Sequence, residues 1–102
     1  MTYSQERPEV TMLITSLISG KKDRYALKEA LQMPDRRVRE VIEDARNAGY
    51  MIINDGDGTG YYIAQSIEDI KRYYRIEKAR VMSITKRLEK VEKLLEERGY
   101  PT

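Results

Sequence analysis

Apolar residues recur along this chain with two different spacings, and the change of spacing divides the chain into predicted secondary-structure elements. Between residues 8 and 48 they return every three or four positions, the spacing of helices that bury one face. Pro8 suits the first turn of a helix, and the apolar stripe that follows it consists of Val10, Leu13, Ile14, Leu17 and Ile18. Asp23 is the candidate N-cap of a brief second helix, in which the predicted buried residues are Ala26, Leu27, Ala30 and Leu31.

A third helix is predicted over residues 35–48, after the tight turn that Pro34 imposes. Its apolar stripe consists of Val38, Val41, Ile42 and Ala45. Asp35 is placed to be the N-cap or a first-turn residue, and Gly49 is a suitable C-terminal stop. This helix therefore has one face for a core and another that is strongly charged.

After Gly49 the helical spacing ends. Two short β-prone runs follow, residues 50–53 and 61–64, on either side of a glycine-rich turn. Ser66 then caps an uninterrupted final helix that reaches about Arg98. This order predicts a mainly α fold with a two-stranded β wing, a winged helix-turn-helix followed by a long C-terminal coiled-coil helix. The predicted parts are a flexible arm (1–7), the winged domain (8–66) and the final helix (67–98).

The composition narrows the chemistry. The 102 residues include 36 charged ones but carry a net charge of only +2, so nucleic-acid binding requires local clustering of basic residues. The chain has no cysteine and no histidine, which removes thiolate chemistry, most zinc sites and the usual general base. We therefore expect no enzyme activity, no metal and no cofactor. No apolar run is long enough to span a membrane, and we expect a soluble intracellular protein.

The start of the third helix carries the main functional signal. Arg36, Arg37 and Arg39 lie in its first turn and a half, where the helix dipole disfavours basic residues. Arginines there suit guanine edges and phosphates, while Glu40 or Asn47 could read cytosine or adenine. The alternative is a solvated face with ion pairs from Arg36 to Glu40 and from Arg39 to Glu43. The helix-turn-helix context favours DNA binding.

Two loops near this helix carry further charge. Lys21, Lys22 and Arg24 lie where this fold meets the DNA backbone, although an ordinary solvated loop explains them equally well. The wing tip contains Asp55 and Asp57 and resembles the start of a calcium loop, but it lacks the acidic residue at the twelfth position. A glycine-rich hairpin turn is favoured, and its carboxylates would repel phosphates.

The final helix carries a second apolar stripe with 3-4 spacing, which predicts a coiled coil from about residue 81. Its members are Val81, Ile84, Leu88, Val91 and Leu95. A small winged domain has no core left for them, so we expect a homodimer through this seam. The alternative is a helix that folds back on its own domain, and the flanking charges leave both parallel and antiparallel pairing open.

Four segments of the chain resemble a known group of proteins. They read ISG at residues 18–20, ALQMPDRRVR at 30–39, ARNAGY at 45–50 and GYYIA at 60–64. This pattern resembles small winged helix-turn-helix proteins of phages and prophages from Gram-positive bacteria, and the resemblance covers residues 18 to 80. It implies the winged fold, DNA binding and a cytoplasmic location in a bacterial host cell. Gln32 and Pro34 depart from the group's turn glycine and capping serine.

The sequence thus predicts a homodimer that binds double-stranded DNA, as a phage or prophage transcriptional regulator with residues 35–48 as recognition helix. An alternative is a protein-interaction module, an inhibitor or adaptor that binds a host or phage protein through the winged-helix face. Another is an accessory protein of DNA replication or packaging.

Overall fold

The computed structural model describes residues 7–54 and 60–102, and their elements follow the predicted order. The helices are α1 (Pro8–Ile18), α2 (Arg24–Leu31), α3 (Asp35–Asn47) and α4 (Ile67–Glu97), and the strands are β1 (Ile52–Asn54) and β2 (Tyr61–Ile63). The predicted fold class is confirmed: a mainly α protein with a small two-stranded wing and a long C-terminal helix. Contacts divide the chain into two compact units, one up to Ile70 and one from Lys71.

Side-chain caps fix the starts of two helices at the predicted residues. Asp23 accepts a hydrogen bond from the backbone N–H of Ala26 at 2.8 Å and so begins α2. Ser66 accepts one from the N–H of Asp69 at 3.1 Å and begins α4. Each bond satisfies an N–H group that the helix itself leaves without a partner.

The turn between α2 and α3 keeps the helix-turn-helix geometry with unusual residues. Gln32 ends α2 in the left-handed conformation, with φ 52° and ψ 51°, which a glycine adopts at less cost. Pro34 is the N-cap of α3 and is extended, but it supplies no side-chain hydrogen bond. Asp35 is therefore the first residue of α3 and not its N-cap, and its negative charge complements the helix dipole there.

One hydrophobic core joins the three short helices to the first strand. Its fully buried members are Val10, Leu13, Leu17, Leu27, Leu31, Val38, Val41, Ile42, Ala45 and Ile52. The predicted stripe of α3 is buried at all four positions. Two predictions were wrong: Ala30 is exposed, and Ile18 is exposed because it lies about 100° round α1 from the buried Leu17.

The wing is anchored to the loop between α1 and α2. β1 and β2 pair antiparallel, with Ile53 opposite Tyr62. Lys22 and Tyr61 exchange backbone hydrogen bonds in both directions, at 3.0 and 2.8 Å, and so add an isolated bridge beside β2. Gly60 makes this approach feasible: a Cβ on it would lie 2.4 Å from the Lys22 carbonyl oxygen. The glycine also has φ +125°, a conformation that side chains disfavour.

Helix α4 runs for 31 residues without a break, which corresponds to about 46 Å. None of its residues is buried within the single chain. Among the described residues, no helix is both long enough and apolar enough to cross a membrane.

Candidate nucleic-acid interface

The outward face of α3 is held in place by the core beneath it. Val38, Val41 and Ile42 are buried on one side, so the opposite side must face solvent. Arg36 lies there with its side chain 91% exposed, and its Nε atom is 3.9 Å from a carboxylate oxygen of Glu40. This confirms the predicted pairing, although an ion pair so long and so exposed contributes little to stability. The Arg36 guanidinium is thus available to an incoming partner.

Arg39 has a different partner from the predicted one. Its Nη2 atom donates to the Asp35 carboxylate at 2.8 Å, one helical turn back, and not to Glu43. Glu43 instead lies 3.7 Å from Arg46. The reason is that side chains on a helix lean toward its N-terminus, so Arg39 reaches back to the acid four residues before it more readily than to the one four residues after it.

The same carboxylate also contacts α2. The Nε atom of Arg24 lies 3.4 Å from Asp35, so two of the predicted DNA-binding arginines, Arg24 and Arg39, flank one acidic side chain. A hydrogen bond with Tyr25, and after it the charge of Asp35, raise the pKa of Arg24 above its usual value. The guanidinium remains positive at any pH at which the protein is studied.

Arg37 lies on the flank of α3 that approaches α1. Its guanidinium is 3.5 Å from Glu9 and 3.0 Å from Glu40, and the side chain is half-buried. Hydrogen bonding to the backbone at the start of α1 lowers the pKa of Glu9, and the charges of Arg7 and Arg37 lower it further. Arg37 therefore joins two helices, and this contact competes with its predicted role at DNA.

Lys21 and Lys22, which are predicted to contact the DNA backbone, make contacts within the protein at the base of the wing. Lys22 is held by the bridge to Tyr61, and its Nζ atom donates to the Ser19 hydroxyl at 3.0 Å. The Nζ atom of Lys21 lies 5.8 Å from the centre of the Tyr62 ring, within the range of a cation–π contact. Of the remaining predicted residues, Asn47 is exposed as the last residue of α3.

Residues 55–59 lie outside the described part of the chain, so the wing tip with Asp55 and Asp57 is untested. Its predicted repulsion of phosphates stays a prediction. Among residues 7–54 and 60–102, no three His, Cys, Asp or Glu side chains are grouped so that they could hold a metal ion.

Sequence reasoning missed two residues that organise this region. Arg46 donates from Nε and Nη2 to the carbonyl oxygen of Ile52, at 3.1 and 2.9 Å, and so ties the end of α3 to β1. Asp35 links α3 to α2 through Arg24 and pairs with Arg39 within α3. The i,i+4 spacing of Asp35 and Arg39 was a usable signal, but the contact with Arg24 depends on tertiary packing that no local pattern encodes.

The predicted seam on α4 is apolar and exposed along its whole length in the single chain. The exposed fractions range from 37% at Leu95 to 58% at Val81. Leu94, beside the seam, is also exposed and widens this apolar surface. Contiguous apolar surface of this kind usually marks a contact with another molecule.

The described residues form three short helices, a two-stranded antiparallel wing and a long C-terminal helix, which is the order of elements in a winged helix-turn-helix fold. Neither a known protein family nor a solved structure matches the chain. L-lactate dehydrogenases of Clostridium botulinum strains Hall, Kyoto and 657 are 38% identical over 60 residues. The match covers 59% of this chain but only 19% of each enzyme, so the chain spans about a fifth of these relatives. The described strands form one antiparallel pair, whereas dinucleotide-binding folds rest on parallel βαβ units.

Proposed function

We propose that this protein binds double-stranded DNA as a homodimer and acts as a transcriptional regulator of a phage or prophage. The exposed charged face of α3, in the position of a recognition helix, carries this proposal. The resemblance to winged helix-turn-helix proteins of Gram-positive phages supplies the biological setting. The two elements that the proposal requires are a reading helix and a means of pairing two copies.

The reading helix is α3, which follows α2 after the short turn at residues 32–34. In this arrangement the N-terminal half of the second helix enters the major groove and contacts base edges. Arg36 and Arg39 lie in that half and are exposed. Their guanidinium groups can donate two hydrogen bonds to the O6 and N7 atoms of a guanine.

The low net charge favours sequence-specific contacts with DNA over general attraction to its phosphates. The arginines of α3 are largely balanced by Glu40, Glu43 and Asp44, so general attraction to phosphates is weak. Affinity must then come from a few directed contacts at a preferred sequence. We expect a shallow salt dependence for specific binding and little affinity for random duplexes at physiological salt.

The test is selection of bound sequences from random duplexes, followed by titration of purified variants. Arg36→Ala and Arg39→Ala are each expected to weaken binding to the selected duplex by about 1–3 kcal/mol. Thermal stability should stay almost unchanged, because both side chains face away from the core. Loss of affinity that is equal on all sequences would assign these residues to phosphates, and wild-type affinity in both variants would reject the reading helix.

The means of pairing is the seam on α4. Burial of its five apolar side chains between two copies would remove from water a surface that the single chain leaves exposed, worth roughly 1.5–3 kcal/mol per side chain before ordering costs. Leu88→Lys would place two like charges at the centre of that contact. We expect sedimentation equilibrium to report a dimer for the wild type and a monomer for this variant.

Ser83→Lys is the matched control, since it adds the same charge to the same helix outside the seam. It should leave the dimer intact. DNA affinity should fall steeply only in Leu88→Lys, because a monomer holds one half-site and loses the advantage of linkage. A wild-type monomer at tens of micromolar would end the homodimer proposal.

A second candidate function is docking onto a host or phage protein. A shallow depression of about 540 Å³ on α3 favours it, because both charge signs line this surface: Arg36, Arg39, Glu40, Glu43 and Asp44. Such a surface suits a protein with alternating charges better than a uniform phosphate track. Retention of one phage or host protein together with failure to select any duplex would favour this function. A role in DNA replication or packaging would instead combine duplex binding with no effect on transcription.

A further inference from the structure

We infer that Asp35 is a positioning residue for DNA reading: it holds Arg39 in the orientation that contacts a guanine, with Arg24 fixed beside it. This inference rests on the proposed function and names the base that one side chain selects. It begins with the contact between one carboxylate and two guanidinium groups from different helices.

The carboxylate of Asp35 lies deeper than either arginine. Its side chain is 23% exposed, whereas those of Arg24 and Arg39 are 56% and 67% exposed. The acid therefore contacts the Nε atom of Arg24 and the Nη2 atom of Arg39 while more than half of each arginine side chain remains exposed. An arginine held in this way presents its remaining N–H donors outward.

The two contacts are unequal. The bond from Arg39 is short, 2.8 Å, and is assisted by charge on both sides. The Arg24 contact is 3.4 Å, and the Asp35 Oδ1 atom that it approaches is buried without a hydrogen-bond partner. The carboxylate therefore holds Arg39 by a direct hydrogen bond and Arg24 by the attraction of opposite charges.

Charge and orientation assign Arg39 to a base. The carboxylate balances only one guanidinium, so Arg24, which has the longer contact, keeps a net positive charge. The Arg39 guanidinium shares the short bond, forms a locally neutral pair and contributes little long-range attraction to phosphates. Its orientation, however, is restricted, and restricted orientation is what two parallel hydrogen bonds to guanine O6 and N7 require. Arg36 has only the long contact with Glu40, so it lacks this restraint. Arg24 begins α2, the helix that crosses the DNA backbone in this fold, and is assigned to a phosphate.

The test compares Asp35→Asn with Asp44→Asn, on the duplex selected by the wild type and on its single-base variants. Both changes remove one negative charge from α3, and both acids pair with an arginine, Asp44 with Arg7. The two arginines contact different oxygens of Asp35, and asparagine replaces one of these oxygens with an NH2 donor, so it cannot hold both in the same way. We expect Asp35→Asn to reduce discrimination for one guanine by about 5- to 150-fold. Affinity for random duplexes should stay equal or rise.

Asp44→Asn should leave discrimination at every base pair unchanged. Arg39→Lys should lose discrimination at the same base pair as Asp35→Asn, because lysine keeps the charge but not the planar fork. Wild-type discrimination in Asp35→Asn, or losses at different base pairs in the two variants, would overturn the role of Asp35. A wild-type protein that selects no duplex would instead reject the proposed function itself.

A second measurement covers the case in which Asp35→Asn fails to fold. Nuclear magnetic resonance of the guanidinium groups in the free wild-type protein reports their rotation directly. We expect slow rotation for Arg39 and fast rotation for Arg36. Equal, fast rotation in both would overturn the inference without any variant or DNA.

Discussion

Helices α3 and α4 have similar spacings of apolar residues, but the apolar stripe of α3 is buried and that of α4 is exposed. The stripe of α3 is completely buried, with Val41 and Ala45 at 0% exposure. The seam of α4 is exposed at every position, and no residue of that helix is buried within the chain. Spacing therefore predicts which face of a helix is apolar, but it does not predict whether residues of the same chain bury that face.

The difference follows from what surrounds each stripe. α3 lies among α1, α2 and β1, which supply apolar residues such as Leu13, Leu27 and Ile52. The seam of α4 falls in the second compact unit, which contains only the rest of that helix and the residues after it. A single helix cannot bury its own stripe, so its stability in isolation depends on local propensity and on a partner.

The sharpest way to break this comparison is to truncate matched isoleucines on the two helices. Ile42→Ala should lower the free energy of unfolding by about 2–5 kcal/mol, since it removes buried methyl groups and leaves a cavity. Ile84→Ala should cost less than about 0.5 kcal/mol in dilute solution, where its side chain is already exposed.

Chemical denaturation at several protein concentrations measures both effects. If two copies pair through the seam, the cost of Ile84→Ala grows with concentration while that of Ile42→Ala does not. Equal costs at all concentrations would mean that α4 is covered within its own chain.

A second pair of variants compares glycines of the two units. Gly60→Ala should destabilise by about 2–4 kcal/mol, because the new Cβ meets the Lys22 backbone and the backbone has φ +125°. Gly99→Ala has φ +85° but no atom within 4 Å of its Cβ, so only the conformational cost of about 1 kcal/mol applies. Thermal unfolding ranks the two, and similar melting temperatures would show that the wing yields to the added methyl group.

A third pair stays within α3 and separates its two faces. Arg46→Ala should destabilise by about 1–3 kcal/mol, since the Ile52 carbonyl loses both of the donors from this side chain. Arg36→Ala, on the outward face, should change stability by less than about 0.5 kcal/mol. If urea midpoints of the two variants coincide, the link from α3 to β1 contributes nothing to folding.

The smallest expected effect is on the melting temperature at low pH. Because the pKa of Glu9 is lowered in the folded protein, its contribution to stability is present above the unfolded value, near 4.5, and is lost as the pH falls through the folded value. Melting temperatures from pH 7 to pH 3 should therefore fall slightly more for the wild type than for Glu9→Gln. Parallel curves would show that the backbone hydrogen bond of Glu9, together with the charges of Arg7 and Arg37, does not favour its charged form.

Local patterns were enough to predict the order of elements, the caps at Asp23 and Ser66, and the buried stripe of α3. These features depend on residues within one or two helical turns, where spacing and capping chemistry decide the outcome. The sequence was less informative about contacts between distant residues. The errors at Ile18 and Ala30 have the same origin, since burial at the edge of a stripe depends on neighbouring elements.

The contacts of the candidate site also divide into local ones, which the sequence can predict, and tertiary ones, which it cannot. The sequence identified the arginines of α3 and the pair between Arg36 and Glu40, both of which are local. It gave Arg39 the wrong partner: one acid lies four residues before it and another four residues after it, and the preference for the acid on the N-terminal side was not applied. The contact between Arg24 and Asp35 and the bond from Arg46 to β1 depend on tertiary packing.

The bridge between Lys22 and Tyr61 has a consequence for the time at which the winged unit folds. The two residues are far apart in the chain, yet their backbones exchange two hydrogen bonds beside β2. During synthesis at about 5–20 residues per second, the interval between the end of α3 and Tyr61 lasts on the order of one to three seconds. Through that interval the loop before α2 has no strand to pair with, and the nascent three-helix segment must wait for its own wing.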